Sequence, residues 1–312
     1  MPIRDRQIRL LALCMVKDVD WHLIAREAQR PDGLDRLVLG EITEQSADAV
    51  RAGEQLRHAA PSVTEREERA WQAVRRAESV GAELHTVLDD SYPTNLRLVF
   101  NLPPFLFARG RLAVDDLRSV AVVGTRSASP AGICRAANMA YLLAERGVTV
   151  ISGLARGIDT AAHMATLKSG GRTIAVVGTG ITRCYPPENA ALHEQIAQTG
   201  AIVSQFWPDA PPAKFTFPRR NITMSGISQG TVVIEASSTS GAKMQARLAL
   251  EHGKRVFLLH SLVREHEWAA RYADRPGAQI VHKIEDVVEA LLPPDQIHAA
   301  DQRRAQLSLQ FG

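Results

Sequence analysis

The sequence predicts an α/β fold, a doubly wound and mainly parallel sheet preceded by a small helical domain. Three observations predict it: short β-branched runs recur from Ser119 onward, amphipathic segments of helical length separate them, and glycines stand where those segments end. The runs are 120–123, 148–151, 173–177, 201–203, 231–234, 256–259 and 279–281. Between them, "AGICRAANMAYLLAERG" closes on Gly147 and "SGAKMQARLALEHG" closes on Gly253. Both glycines occupy the position past a helix end where the backbone turns left-handed. Strands that alternate with helices are joined by crossovers, which makes the sheet parallel and puts helices on both faces.

Upstream the pattern is helical and polar. Residues 1–85 read as a small helical domain; in "TEREERAWQAVRRAESVG", Thr64 and Glu67 have capping-box spacing and Gly81 ends the run. Residues 86–118 read as a connector holding a turn, a helix-like piece and Pro103-Pro104. The α/β core spans 119–292. A polar, mobile tail is expected over 293–312.

Composition narrows the class. The 312 residues are 45% hydrophobic, enough for a sizeable core in one large domain or two ordinary ones. Apolar runs fall far short of the roughly 18 to 20 residues that span a bilayer, and charges interrupt the first 20 residues where a signal peptide needs an apolar centre. A cytoplasmic protein without membrane contact is expected. Cys14, Cys134 and Cys184 form no C-x-x-C pair, so neither a disulfide framework nor a metal site is expected. The net charge of +3 is unevenly spread. Residues 1–90 hold 13 Lys/Arg against 17 Asp/Glu, and residues 101–183 hold 10 against 4. The basic middle segment points to an anionic partner.

In an open α/β sheet, ligands bind outside the carboxyl ends of the strands. Those ends carry Gly124, Arg126 and Ser127 in "GTRSAS"; Ser152, Gly153, Arg156, Gly157 and Asp159 in "SGLARGID"; and Ser240, Gly241 and Lys243 after "EASST". Glycine permits close backbone approach, helix N-termini offer free N–H groups, and arginine supplies a planar charged fork, which together suit phosphate. "FPRRN" adds Phe217, Arg219, Arg220 and Asn221, an aromatic beside paired arginines, suited to a polyanion with stackable bases.

Catalytic readings are weaker. Asp159 and His163 lie four apart on one helical face, but no G-x-S-x-G surrounds Ser152. Asp159 is read as orienting His163 structurally, and Glu235 as holding a loop by accepting backbone N–H bonds. "GTGITR" lacks the third glycine of a dinucleotide fingerprint, so no cofactor is expected.

The stretches "SYPTNLRLVFNLPPFLFARG", "VAVVGTRSASPAG", "SGLARGIDTAAHMATL", "GGRTIAVVGTGITRCYPPEN", "FPRRN" and "VVIEASSTSGA" resemble, in order and spacing, the DprA/Smf family over about residues 90–258. The resemblance implies an extended Rossmann-like core, non-enzymatic binding of single-stranded DNA in DNA processing, recombination and uptake, delivery of that DNA to RecA, and a homodimer. It places Arg126, the 152–159 loop and Arg219-Arg220-Asn221 in the DNA pocket, and makes the turn at Gly124 a cradle for backbone phosphate. This chain departs from the family: Ile222 follows Asn221 where an arginine is usual, Ser204-Gln205-Phe206 replaces Ser-Glu-Phe, and a charged stretch follows His260-Ser261 up to Arg275.

That stretch motivates a second reading, a regulatory or antitoxin-type partner of a cognate toxin in a phage-defence system. A third, a nucleotide-processing enzyme resembling the LOG family, is opposed by the missing Pro-Gly-Gly before Gly230, Thr231 and Glu235. The final "QLSLQFG" places Gln306, Leu309 and Phe311 in a Q-x-x-L-x-F pattern resembling the peptides that bind the replication sliding clamp; an edge strand is the alternative.

Overall fold

Five helices open the chain: α1 (Ile3–Cys14), α2 (Trp21–Ala28), α3 (Gly33–Val38), α4 (Ala47–Ala59) and α5 (Val63–Glu78). The computed structural model describes residues 2–310. The capping box expected at Thr64 does not form. A 3₁₀ turn over Ala60–Ser62 feeds α4 straight into α5, so Thr64 already lies inside the helix. Glu67 instead accepts a hydrogen bond from Arg9 on α1 (2.8 Å). Gly81 turns the chain at a φ of +74°.

Next come β1 (Ala82–Thr86), α6 (Thr94–Arg97) and β2 (Phe105–Gly110). The segment read as a connector therefore contributes a strand, and Phe105, Leu106, Phe107 and Ala108 are all buried. The core strands are β3 (Ser119–Val123), β4 (Thr149–Ser152), β5 (Thr173–Val176), β6 (Ala201–Ser204), β7 (Gly230–Val233), β8 (Arg255–Leu259) and β9 (Ala278–Val281). Each lies at an apolar run read from the sequence. All nine strands form one sheet in the order β1-β2-β6-β5-β4-β3-β7-β8-β9. Neighbours from β6 to β9 pair in parallel, while β2 pairs antiparallel with both β1 and β6.

Side-chain alternation divides β3, β4, β7 and β8 between two interiors. Val120 and Val122 of β3 join one buried cluster, and Ala121 and Val123 join the other. The first is closed by α7 (Pro130–Glu145) and α8 (Ile158–Lys168). The second is closed by α9 (Ala190–Thr199), α10 (Thr216–Ile227), α11 (Gly241–Glu251) and the N-terminal helices. Burial on both faces explains why these strands read as continuous apolar runs.

The helical region is not a separate unit. Trp21 of α2 packs on Phe105 of β2 (ring centres 5.0 Å apart) and on Trp207 after β6 (5.9 Å), within the cluster that contains the sheet. The charged stretch after β8 also folds inward, as α12 (His260–Glu265) and α13 (Glu267–Ala273). Trp268 is buried there and donates through Nε1 to the Ala236 carbonyl (3.1 Å).

After α14 (Glu285–Val288), the residues expected to form a mobile tail build helix α15 (Pro294–Gln310). Pro294 sits at its start, where a missing N–H costs nothing, and Ile297 is buried. Gln306 and Leu309 are therefore helical, not part of an edge strand, and Phe311 lies outside the described residues. No helix among the described residues is long and apolar enough to cross a membrane.

Because Phe105 joins the helical region to the sheet, Phe105→Ala should cost about 3–5 kcal/mol. In a denaturant titration followed by circular dichroism and tryptophan emission, both signals should move together to lower denaturant. Two separated transitions would show instead that the helices fold independently.

Candidate nucleic-acid interface

The chain leaves β3 toward β4, β5 and β6 on one side, then returns to place β7 on the other. The crevice at that reversal is the position where open α/β sheets bind ligands. A cavity of about 350 Å³ lies there, bordered by the loops after β3, β4 and β7 and by the first turns of α10 and α11. Of the residues singled out in the sequence, Gly124, Arg126, Asp159, Phe217, Arg220, Asn221, Ser240 and Gly241 line it.

Arg220 lies at its base, 6% exposed. Its Nη1 donates to the Val176 carbonyl at the end of β5 (2.8 Å). Gly153 makes room: a Cβ there would stand 1.6 Å from Nη1. Burial lowers the Arg220 pKa, and the neighbouring Asp159 carboxylate opposes that shift. A guanidinium still keeps its proton in a protein. The Asp159 carboxyl is in turn pushed up by burial, against Arg220 and the N–H donors of Ala155 and Gly153.

Asp159 accepts from the backbone N–H of Gly153 (3.1 Å) and Ala155 (3.3 Å), so it closes the loop after β4. It does not orient His163, contrary to expectation. The His163 ring is fully buried and its Nδ1 meets Thr173 Oγ1 (2.7 Å). The same hydroxyl also reaches the Val150 carbonyl (2.7 Å), so the ring is tied to the strands under α8. The i,i+4 spacing is real, but the two side chains leave their shared face in different directions. Glu235 accepts from the N–H (3.0 Å) and hydroxyl (2.6 Å) of Ser129, so it holds the start of α7 from across the crevice.

At the mouth, the Arg126 guanidinium lies over the Phe217 ring, 5.1 Å from its centre. Arg126 is exposed and forms no ion pair among the described residues. Phe217 rests at the end of β5 because Gly178 has no side chain; a Cβ there would come within 2.7 Å of the ring. Tyr185 also packs on Phe217, at 5.8 Å between ring centres. Ser240 caps α11, accepting from the Ala242 N–H (3.1 Å), and Asn221 donates to the Gly241 carbonyl (3.5 Å). The N-termini of α8 and α11 thus border the cavity and add partial positive charge.

Ser127, Ser152, Gly153, Arg156, Gly157, Arg219 and Lys243 do not line the cavity. Ser152 is buried and donates to the Val122 carbonyl (2.7 Å), tying β4 to β3. Gly124 is demanded by packing, since a Cβ there would strike Ile158 at 2.3 Å. The Thr125 N–H is spent on the Glu235 carbonyl (2.7 Å), so this turn offers a phosphate the Arg126 guanidinium and not that amide. Gly157 starts α8 at a φ of +74°, against the Thr125 and Arg126 carbonyls. Ser127 is exposed beside the cavity, and Arg156 is exposed and paired with Glu188. Arg219 points away from its neighbour Arg220, lies over the Phe215 ring (5.7 Å) and lines a cleft toward α2. Lys243 lies over Trp268 (5.7 Å). Tyr185 and Gly178 were missed; both stand in the "GTGITRCYPPEN" stretch, where the proline pair beside Tyr185 was the available signal.

His163 gives the site a pH signature. Burial, then Arg220, lower its pKa to about 3. The unfolded value is about 6.5, so the unfolded chain takes up the extra proton and stability falls as pH drops from about 6.5 toward 3. Between pH 7 and 5 the loss from this group should be about 2 kcal/mol. His252, lowered to about 4, adds to it. Urea unfolding of the parent and of His163→Asn at both pH values isolates the term. The variant should lose less stability on acidification; an unchanged pH dependence would show that His163 is not held neutral.

Comparison with known proteins places this geometry. The chain is 37% identical over 204 residues to DNA processing protein DprA of Streptococcus pneumoniae, spanning 65% of this chain and 72% of that one. The crystal structure of that organism's DprA superposes with a TM-score of 0.73 at 28% identity, covering 94% of this chain and all of that one. DNA processing protein A of Helicobacter pylori, whose structure was described for its single-stranded DNA binding mode, superposes with a TM-score of 0.59 at 27% identity, over 67% of this chain and 95% of that one. Residues 83–292, from β1 to the end of the core, match the family model described as DNA recombination-mediator protein A, and the chain belongs to that family.

Proposed function

We propose that this protein binds single-stranded DNA at the crevice between the β3 and β7 loops and acts as a mediator in DNA processing and recombination. The observation that carries the reading is the Arg126–Phe217 pair at the mouth of a cavity with a buried guanidinium at its base. An aromatic face and a planar cation can stack on an unpaired base while the charges take up phosphate, and a duplex hides the base faces that such a site uses. The Helicobacter pylori relative supports the choice of ligand. RecA as recipient of the bound strand is supported by the family's description as recombination mediators. A binding role is further supported by the separate engagements of Asp159 and His163, which leave no dyad between them.

Titration with a labelled oligonucleotide at several salt concentrations tests the reading. Each phosphate contact should contribute about −0.7 to the slope of log K against log salt. Arg126→Ala should weaken binding and flatten the slope by about that amount, and Phe217→Ala should cost about 1–3 kcal/mol with little change of slope. Duplex of the same length should bind more weakly. Equal affinity for duplex, or affinity insensitive to both substitutions, would overturn the assignment.

A further inference from the structure

One face of α5 carries Arg69, Gln72, Ala73 and Arg76, spaced as neighbours on a helix, and borders a shallow cavity of about 490 Å³ with Trp207 and Asp209. Asp209 ties this face to the carboxyl ends of the sheet. Its carboxylate accepts from Arg76 Nε (3.0 and 3.1 Å) and from the Thr182 hydroxyl (2.6 Å). Its backbone carbonyl accepts from Arg183 Nε (2.7 Å). Asp209 thus holds two guanidinium groups, Arg76 through its carboxylate and Arg183 through its backbone carbonyl, and Arg69, exposed two turns back along α5, forms no ion pair among the described residues. Arg69, Arg76 and Arg183 stand against the one carboxylate of Asp209.

The chain links this patch to the candidate site through the loop after β5. Arg183 stands two residues before Tyr185, which is 39% exposed and packs on Phe217, and Phe217 carries Arg126. Exposed aromatic and guanidinium groups therefore succeed one another from the switch-point cavity to α5. A groove that tracks a flexible polyanion while offering faces for its bases has this composition. The helical region also shares the core with the sheet, so both ends of the path pack on one interior.

We infer that a single strand leaving the cavity crosses Tyr185 and runs past Arg183 and Arg76 to Arg69, so that the N-terminal helices carry the distal part of the nucleic-acid site. The inference rests on the single-stranded DNA reading above. Its test uses the full chain, with Arg69 and Arg183 both changed to Ala and Arg76 left to hold Asp209. Oligothymidylates of about 6 and about 30 nucleotides are titrated at two salt concentrations. The short oligomer should bind the double variant as it binds the parent. The long one should bind about tenfold more weakly, with a salt slope shallower by about 1.4, two contacts at about 0.7 each. Unchanged binding of the long oligomer, the result expected if the patch serves an acidic protein instead, overturns the extension. So does an equal loss for both lengths. If the parent binds neither oligomer, the functional reading itself fails; if the parent binds and only Arg126→Ala weakens it, the extension alone fails.

Discussion

A guanidinium buried at the carboxyl end of the sheet is the constraint around which this molecule is arranged. Removing a charge from water costs several kcal/mol unless neighbouring groups replace the lost solvent. For Arg220 the surroundings come from the ends of two strands: the Val176 carbonyl ending β5, the nearby Asp159 carboxylate held by the loop after β4, and Gly153 in that loop, whose missing side chain leaves room for the guanidinium. Each is committed before any ligand arrives. Asp159 is fixed by two backbone N–H groups, and His163, one turn further along α8, is kept neutral inside the same neighbourhood. The result is a fixed positive group in a low-dielectric recess, where its field is screened far less than at the surface.

The fold exists in the form that delivers these groups to one place. Because the strands bury both faces, their ends can be positioned by packing alone, and the loops need only short connections to reach the crevice. Glu235 then joins the two sides of the switch point, binding Ser129 through its side chain and Thr125 through its carbonyl. The additions outside the parallel sheet serve the same end. Trp268 roots the helices after β8 on the Ala236 carbonyl, next to the β7 loop that borders the site. The β1–β2 hairpin brings the N-terminal helices against Trp207 through Phe105.

Much of this was legible in the sequence because it is local. Seven β-branched runs became seven parallel strands, and Gly147 and Gly253 ended helices at positive φ. The loops with glycine and arginine proved to lie at one end of the sheet. What escaped depends on partners far away in the chain. Strand β2 follows two prolines and shows no alternation, so only its pairing with β1 and β6 reveals it. Helix α15 has a polar sequence in which little besides Ile297 marks the buried side. Arg219 and Arg220 read as one motif, yet successive helical residues diverge by about 100°, so one enters the cavity and the other faces α2. Asp159 and His163 share a helix face, but a loop amide and a strand hydroxyl, neither visible from spacing, decide where each side chain bonds.

The account's central claim is that a single strand occupies the switch-point crevice. Hydrogen exchange of the full chain, with and without a saturating oligothymidylate, addresses it residue by residue. Binding should slow exchange in the loops 124–129, 153–159 and 237–245 and leave the turns at 170–172 and 253–255, at the opposite ends of the strands, unaffected. Saturated binding with unchanged exchange in those three loops would contradict the claim.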